Sequence, residues 1–332
     1  MTSSRRLFLD DCHEETSPLD LVETLRNKID VLDHGDHTAG LRAVLNHIVV
    51  AFRHLERGKS DKDETAFTDA IYRSNQAFEG GVKEAYRVLT NRDPSKKTPF
   101  QIEEYLEKHS VFRDRVLNQF KIYRTEWRNP STHDYKLDFD ESEAFLAIVS
   151  VSAFSCLLAD QIAERISFEK TKAIAPSIEP EAPQGASLFE KSSILLASFV
   201  STDKPEFSAD RMTEAQVVGT LHGLFVSAYP NLQLKLEARL SSESGYRADL
   251  LVTEGDETII IEVKRLSRTT SLIRAREQVE RFLEVSQLQR ALIVFVPDTP
   301  EEAELLTHDV EGTNRKIGIV IPKSALNSKN RK

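Results

Sequence analysis

Three charged residues interrupt or end apolar runs in which a buried strand normally carries no charge: Asp249, Glu262 and Lys264. The segment between the two runs contains turn-forming residues and predicts a tight hairpin centred on Gly255 and Asp256. In a hairpin with that turn, Asp249 lies opposite Glu262, with Cα atoms roughly 4.5–5.5 Å apart. Side chains alternate along a strand, so Lys264 shares a face with Glu262. Two carboxylates and an ammonium group therefore converge, which suits a hard divalent cation with a water beside it.

The elements around this hairpin follow a recognisable order. Residues 213–225 predict a helix, residues 232–237 a strand, residues 271–282 a second helix and residues 291–296 a further strand. Residues 205–300 resemble the PD-(D/E)xK nuclease superfamily, in which a helix carrying an acid precedes a three-stranded meander. The resemblance implies a restriction-endonuclease-like α/β domain with a mixed sheet.

The same resemblance assigns roles to individual residues. Asp249, Glu262 and the helix acid Glu214 would bind Mg²⁺ or Mn²⁺, and Lys264 would orient or activate the attacking water. Glu237 is an alternative to Glu214 as the third acid. The proline that usually precedes the aspartate is replaced here by alanine.

Basic residues follow the candidate metal strand, and six positions are expected to contact nucleic acid: Arg247, Arg265, Arg268, Arg274, Arg276 and Gln278. Arg247, two residues before Asp249, matches a residue that often accompanies the aspartate in that superfamily, and the resemblance implies that it contacts phosphate. The other reading of the basic cluster is a solvated helix face with pairs such as Glu277–Arg281. The domain as a whole is expected to be either a metal-dependent nuclease or a catalytically inactive relative of the fold.

The N-terminal half shows helical periodicity and no strand-like alternation. Residues 1–167 predict an all-α bundle whose last helix ends at about Ile166. Residues 168–188 include a proline-rich stretch and predict a linker. Residues 189–332 then form the nuclease-like domain, so the fold class is a multidomain chain, all-α followed by α/β.

A second candidate site lies near the end of the predicted bundle, at Arg128, Asn129 and His133. Histidine exchanges protons near neutral pH, and arginine binds phosphate oxygens in a fork. Residues 19–166 resemble the HEPN superfamily, marked by R-x(4–6)-H. That resemblance implies a dimer whose active members cleave RNA without metal, with Arg128 on the scissile phosphate, His133 transferring the proton and Asn129 orienting the pair. The alternatives are an inactive dimerisation module or a histidine in a helix cap or loop.

Composition limits the other possibilities. The net charge of −9 argues against a generally basic nucleic-acid binder but leaves local basic surfaces open. Two cysteines, Cys12 and Cys156, exclude a disulfide framework or a cysteine zinc site. The N-terminus lacks an apolar signal core, and the chain is expected to be soluble and cytoplasmic.

The sequence therefore predicts a DNA-hydrolysing, metal-dependent nuclease joined to a HEPN-like domain that dimerises and senses or cuts RNA. The apolar stripes Leu41–Leu55 and Phe145–Leu158 favour a homodimer through residues 1–167. The combination of a HEPN-like domain and a nuclease domain in one chain is similar to that of antiviral defence effectors, so bacterial antiviral defence is the expected context. One alternative is a metal-independent HEPN ribonuclease toxin whose C-terminal domain only binds nucleic acid. Another is a non-enzymatic dimeric scaffold.

Overall fold

The computed structural model describes most of the chain. The described residues are 20–32, 35–133, 136–174, 182–202, 212–266 and 271–329. Arg268 and Cys12 lie outside these ranges, and so does the side chain of His133.

The N-terminal region is helical, as predicted. Its helices are α1 (Leu21–Asp30), α2 (Asp36–Asp61), α3 (Thr65–Thr90), α4 (Pro99–Lys108), α5 (Asp114–Tyr123), α6 (Asn129–His133) and α7 (Glu141–Ile174), with a π-helical turn (Arg124–Arg128) between α5 and α6. Local signals begin several of them: Asp20 caps α1, and Thr98 with Gln101 forms a capping box at α4. Aromatic side chains, led by Phe78, Phe120 and Phe154, fill the core between α3, α5 and α7.

Helix α7 extends beyond its predicted end. It continues to Ile174 instead of ending near Ile166, so residues 168–174 are helical and not part of a linker. Phe168 and Thr171, in this added stretch, are buried. The proline-rich residues 175–181 lie outside the described ranges.

The C-terminal region contains a mixed sheet, as predicted, and the sheet has six strands. Its elements are α8 (Leu188–Ser201), α9 (Glu214–Ala228), β1 (Gln233–Arg239), β2 (Arg247–Glu254), β3 (Glu257–Arg265), α10 (Leu272–Ser286), β4 (Arg290–Val296), β5 (Ala303–Asp309), β6 (Lys316–Pro322) and α11 (Lys323–Lys329). The strand order is β1-β2-β3-β4-β6-β5. Strands β3, β4 and β6 run parallel, and the remaining neighbours are antiparallel.

The predicted hairpin is confirmed, including its register. Leu250 faces Ile261 and Glu254 faces Glu257, so Gly255 and Asp256 form the turn. Gly255 has a φ of 57°, a left-handed conformation that glycine adopts without steric cost. This register puts Asp249 and Glu262 one position beyond the Leu250–Ile261 pair, at the end of the ladder away from the turn.

Both faces of the sheet are covered by helices. One core joins α8 and α9 to side chains such as Leu250, Ile261 and Val294. The other joins α10 to Ile260 and Ile293 on the opposite face. The central strands β3 and β4 are therefore apolar almost throughout, which makes the charge at Glu262 exceptional.

The two regions meet along α7 and α9. A Cβ atom at Gly219 would lie 2.2 Å from the carbonyl oxygen of Glu164, so the two helix backbones are in direct contact. Gly223 approaches Thr171 and the carbonyl of Phe168 in the same way. Two glycines one turn apart thus allow α9 to pack closely on the last turns of α7.

Helix α7 is long and apolar enough to cross a membrane by length and composition. More than half of that apolar stretch is buried inside the protein. This burial is consistent with the core helix of a soluble protein.

Candidate functional site

The three residues of the hairpin lie together at the ends of β2 and β3. Lys264 donates from Nζ to Glu262 Oε1 at 2.6 Å. Gln278, on α10, donates from Nε2 to the same oxygen at 2.9 Å. The other oxygen, Glu262 Oε2, is buried and has no hydrogen-bond partner among the described residues. Two donors thus hold one oxygen of the Glu262 carboxylate, and the other oxygen is a buried acceptor that is not satisfied by any described residue.

Asp249 is held against β3 by one hydrogen bond, which its Oδ2 accepts from the backbone N–H of Val263 at 2.7 Å. Burial, reinforced by the negative charge of Glu262, raises the pKa of Asp249 to about 8. Glu214 adds to this effect, and Lys264 opposes it. The protonated form of Asp249 is therefore favoured to a higher pH than for an ordinary aspartate.

Buried Glu262 and partly buried Lys264 form an ion pair. Burial raises the pKa of Glu262 despite the attraction of Lys264, because the side chain is only 4% exposed. For Lys264, burial lowers the pKa, but the charge and hydrogen bond of Glu262 outweigh it, and the net shift is upward. Lys264 therefore stays an ammonium group at neutral pH.

Asp249 also lines a cleft of about 300 Å³ between the sheet and the helical region. Its lining includes the residues Lys28, Arg113, Arg115, Asp160, Glu164, Glu214, Glu237 and Asp249. Glu214, the first residue of α9, is exposed and has no ion-pair or hydrogen-bond partner among the described residues. Glu237 lies in the same cleft, but its carboxylate is 3.7 Å from Arg113. The geometry leaves Glu214 more available than Glu237 as a third acid.

A divalent cation suits the chemistry of these residues. Burial raises the pKa values of both neighbouring carboxyl groups, and the charge of Glu262 adds to the rise at Asp249. Within the described residues, Glu262 Oε2 is a buried acceptor without a donor. Hard cations prefer carboxylate oxygens of this kind. Within the described ranges, however, no three His, Cys, Asp or Glu side chains stand close enough together to hold a metal ion. Asp249 and Glu262 thus offer two ligands, with Glu214 across the same cleft.

The expected nucleic-acid contacts have mixed surroundings. Arg247 is only 13% exposed and donates to the carbonyl of Glu237 at 3.0 Å and to Asp114 at 3.1 Å. Arg265 pairs with Asp298, and Arg276 pairs with its helix neighbour Glu280. Arg274 is exposed on the first turn of α10. Gln278 contacts Glu262, which gives it a positioning contact that the sequence prediction did not include.

In the helical region, Arg128 is engaged with acidic residues of its own bundle. Its Nη2 lies 3.7 Å from Glu79 and 3.8 Å from Glu103, and its Nη1 donates to Asn129 Oδ1 at 3.0 Å. Glu103 is buried, which raises its carboxyl pKa, and Arg128 opposes that rise. Arg128 therefore acts as a counter-ion to a buried carboxyl group.

A hydrogen bond from α3 holds the segment that follows Arg128 in place. Ser131 Oγ accepts from Asn75 Nδ2 at 2.7 Å and donates to the carbonyl of Trp127 at 2.7 Å. Tyr123 donates to Asn75 Oδ1 at 3.0 Å. The preceding π-helical turn ends at Arg128, and such turns are common at functional sites. His133 is the last residue of α6.

Sequence reasoning missed the helical wall of the cleft. Arg113 and Arg115 precede Asp249 by more than a hundred positions and belong to another predicted domain. No local pattern could connect them with the hairpin.

No protein-family model, curated protein or solved structure matches this chain.

Proposed function

We propose that this protein is a metal-dependent nuclease that hydrolyses DNA phosphodiesters at Glu214, Asp249, Glu262 and Lys264. The observation that carries the proposal is the buried Glu262. Its Oε1 accepts from Lys264 and Gln278, and its Oε2, close to a second carboxyl group, has no hydrogen-bond partner in the part of the chain that the structure describes. Buried charges are retained in proteins where they are paired or bind a ligand.

Each residue has a defined part in the proposed reaction. Asp249 and Glu262 would hold Mg²⁺ or Mn²⁺, and Glu214, which lines the same cleft as Asp249, is the acid that the sequence predicted as a third ligand. The bound cation would supply Lewis-acid stabilisation of the charge on the phosphoryl oxygens. Lys264 orients the attacking water or stabilises negative charge on the phosphate, and Gln278 keeps the Glu262 carboxylate in one orientation.

The test is a cleavage assay on DNA and RNA, with Mg²⁺, Mn²⁺ or EDTA. Lys264→Ala and Asp249→Asn are expected to reduce metal-dependent DNA cleavage by a factor of at least about 100, since each removes a group needed in the transition state. Asp256→Asn is the matched control, because Asp256 lies in the exposed turn of the same hairpin. Wild-type protein that cleaves no DNA in either metal, or Asp249→Asn protein that cleaves as well as wild type, would refute the proposal.

The same assay separates the alternatives. Cleavage of RNA that persists in EDTA and is lost in His133→Ala would favour the HEPN ribonuclease instead. The absence of any cleavage, with a stable assembly, would favour the scaffold. The engagement of Arg128 with Glu103 argues for the nuclease at the sheet as the primary activity.

A further inference from the structure

The wall of the cleft that faces Glu214 and Asp249 belongs to the N-terminal helical region. Three basic residues of that wall line the cleft: Lys28 from α1, and Arg113 and Arg115 at the start of α5. A nuclease site needs a cation that can bind a phosphate oxygen of the substrate, and these three differ in whether they are free to do so.

Two of the three cations are already paired. Lys28 donates to both oxygens of Asp160, at 2.6 and 2.8 Å. Arg113 forms a hydrogen-bonded ion pair with Glu164 and lies 3.7 Å from Glu237. Arg115 is exposed and has no ion pair or side-chain hydrogen bond with any described residue. Its guanidinium group is therefore available to a ligand in the cleft.

Two ion pairs between the start of α5 and the sheet fix the position of Arg115 relative to the carboxylates. Arg113 reaches Glu237 on β1, and Asp114 accepts from Arg247 on β2 at 3.1 Å. These contacts hold the residues directly before Arg115 against the edge of the sheet. Arg247 precedes Asp249 by two residues, roughly 7 Å along the strand. The first turn of α5 is thus held beside the candidate cation site.

The same contacts change the role expected for Arg247. The sequence predicted that Arg247 binds phosphate, but its side chain is largely buried and donates to Asp114 and to the carbonyl of Glu237. It therefore acts in holding α5 to the sheet. Among the described basic residues that line this side of the cleft, Arg115 is the one without an ion pair.

We propose that Arg115 of the helical region binds a backbone phosphate of the nucleic acid that is cleaved at Asp249 and Glu262. The site is then composite: the sheet supplies the acids and Lys264, and α5 supplies a phosphate-binding arginine. This inference rests on the proposed nuclease function.

The test compares Arg115→Gln, Arg115→Lys and the control Arg53→Gln in the full-length chain. Arg53 is an exposed arginine on α2, outside the cleft, with no ion pair or side-chain hydrogen bond to a described residue. Steady-state cleavage gives KM and kcat. Binding of the same DNA is measured in a Lys264→Ala background at several salt concentrations.

Arg115→Gln is expected to raise KM and to weaken binding by about tenfold, with a smaller change in kcat, because one phosphate contact is lost. The slope of log affinity against log salt should fall by about one. Arg115→Lys should restore most of the affinity, and Arg53→Gln should match wild type. Since Arg115 is exposed, all three variants should keep the wild-type Tm.

Two negative results have different meanings. If wild type cleaves DNA while Arg115→Gln behaves like Arg53→Gln, the role of Arg115 is wrong and the nuclease proposal stands. If wild type neither cleaves nor binds nucleic acid, the nuclease proposal fails and the role of Arg115 fails with it.

Discussion

Glu262 has two carboxylate oxygens in different surroundings. Lys264 and Gln278 donate to Oε1, whereas Oε2 is buried and no described residue donates to it. Asp249 beside it has a pKa raised to about 8 by burial and by the charge of Glu262. A cation that binds both groups must displace the proton of Asp249, so its affinity should increase as the pH rises towards 8.

Cation binding can be measured without any nuclease activity. At pH 8 and a hundredfold excess over Kd, Mn²⁺ or Mg²⁺ is expected to raise the Tm of wild type by on the order of 5 °C. Asp249→Asn and Glu262→Gln should abolish this shift, since each removes one charged ligand. The measurement is thermal unfolding followed by circular dichroism.

Asp256→Asn serves as the control, and it should retain the full shift, because this exposed aspartate only forms the hairpin turn. An equal shift in wild type and Asp249→Asn would contradict the assignment of Asp249 as a ligand. The shift in wild type should also be smaller at pH 6 than at pH 8.

Helices α7 and α9 link the two regions of the chain. Glu214 is the first residue of α9, and the Gly219 backbone of the same helix touches the carbonyl of Glu164 on α7. Gln216 adds a hydrogen bond from Nε2 to the carbonyl of Val31 at 3.0 Å, just after α1. The position of Glu214 therefore depends on packing against the helical region.

The close helix contact makes Gly219→Ala a test with a defined sign. Alanine favours a helix over glycine by about 1 kcal/mol, so propensity alone predicts a more stable protein. The added Cβ would lie 2.2 Å from backbone, which must shift, so we expect a net loss of about 1–3 kcal/mol in the free energy of unfolding. Urea denaturation measures the change. Gly245→Ala, at an open loop position, is the control, and a stabilised Gly219→Ala would show that α7 and α9 are not in close contact.

The same interface contains a histidine that gives stability a pH dependence. His222 stacks on Phe168 with ring centroids 4.4 Å apart, and burial, with the charges of Arg113 and Arg165, lowers its pKa to about 4. Between pH 4 and the usual value of 6.5, the unfolded chain binds more protons than the folded protein. Stability from this group is therefore fully present above pH 6.5 and is lost as the pH falls towards 4.

His222→Phe keeps an aromatic ring and removes the titration. It should reduce the loss of unfolding free energy between pH 6.5 and 4 by about 2 kcal/mol, allowing for partial solvent access. His109→Phe is the control, because His109 also stacks on an aromatic ring, Tyr105 at 4.2 Å, but is exposed. An unchanged pH profile in His222→Phe would contradict the low pKa.

Across the whole molecule, most side chains of the apolar stripes that favoured a dimer are buried in the core of a single chain. In Leu41–Leu55 the core positions are buried, and so are Phe154 and Leu158. Phe145 and Leu146 remain 42% and 52% exposed, on the first turns of α7. These two side chains are the large hydrophobic residues of the predicted dimer surface that are exposed in the monomer.

We therefore expect the full-length chain to be a dimer that depends on this patch. Light scattering should give twice the chain mass of 37.6 kDa, and Leu146→Glu should give the monomer mass, because a buried unpaired charge opposes association. Phe100→Glu is the control, since Phe100 is 69% exposed on α4. A monomeric wild type at micromolar concentration would remove the support for pairing through the helical region.

The sequence by itself determined the local structure of the site. The turn at Gly255 and Asp256 fixes which residues of β2 and β3 face each other, and the alternation of side chains puts Lys264 beside Glu262. The helix predicted over residues 213–225 is α9, and its capping residue Thr213 acts within one turn of the chain. These features depend on neighbours in the chain, so the sequence contains them.

Only the tertiary structure decided what surrounds the hairpin. Helix α7 extends past Ile166 to Ile174, with Phe168 and Thr171 buried, and α9 packs on this stretch through Gly223. The strand pair β5–β6 at the far edge of the sheet was not predicted; half-exposed β5 pairs only with β6. Likewise, Arg115 comes to the cleft of Asp249 through folding of the whole chain. Contacts between residues this far apart are set by packing, which no local pattern of residues specifies.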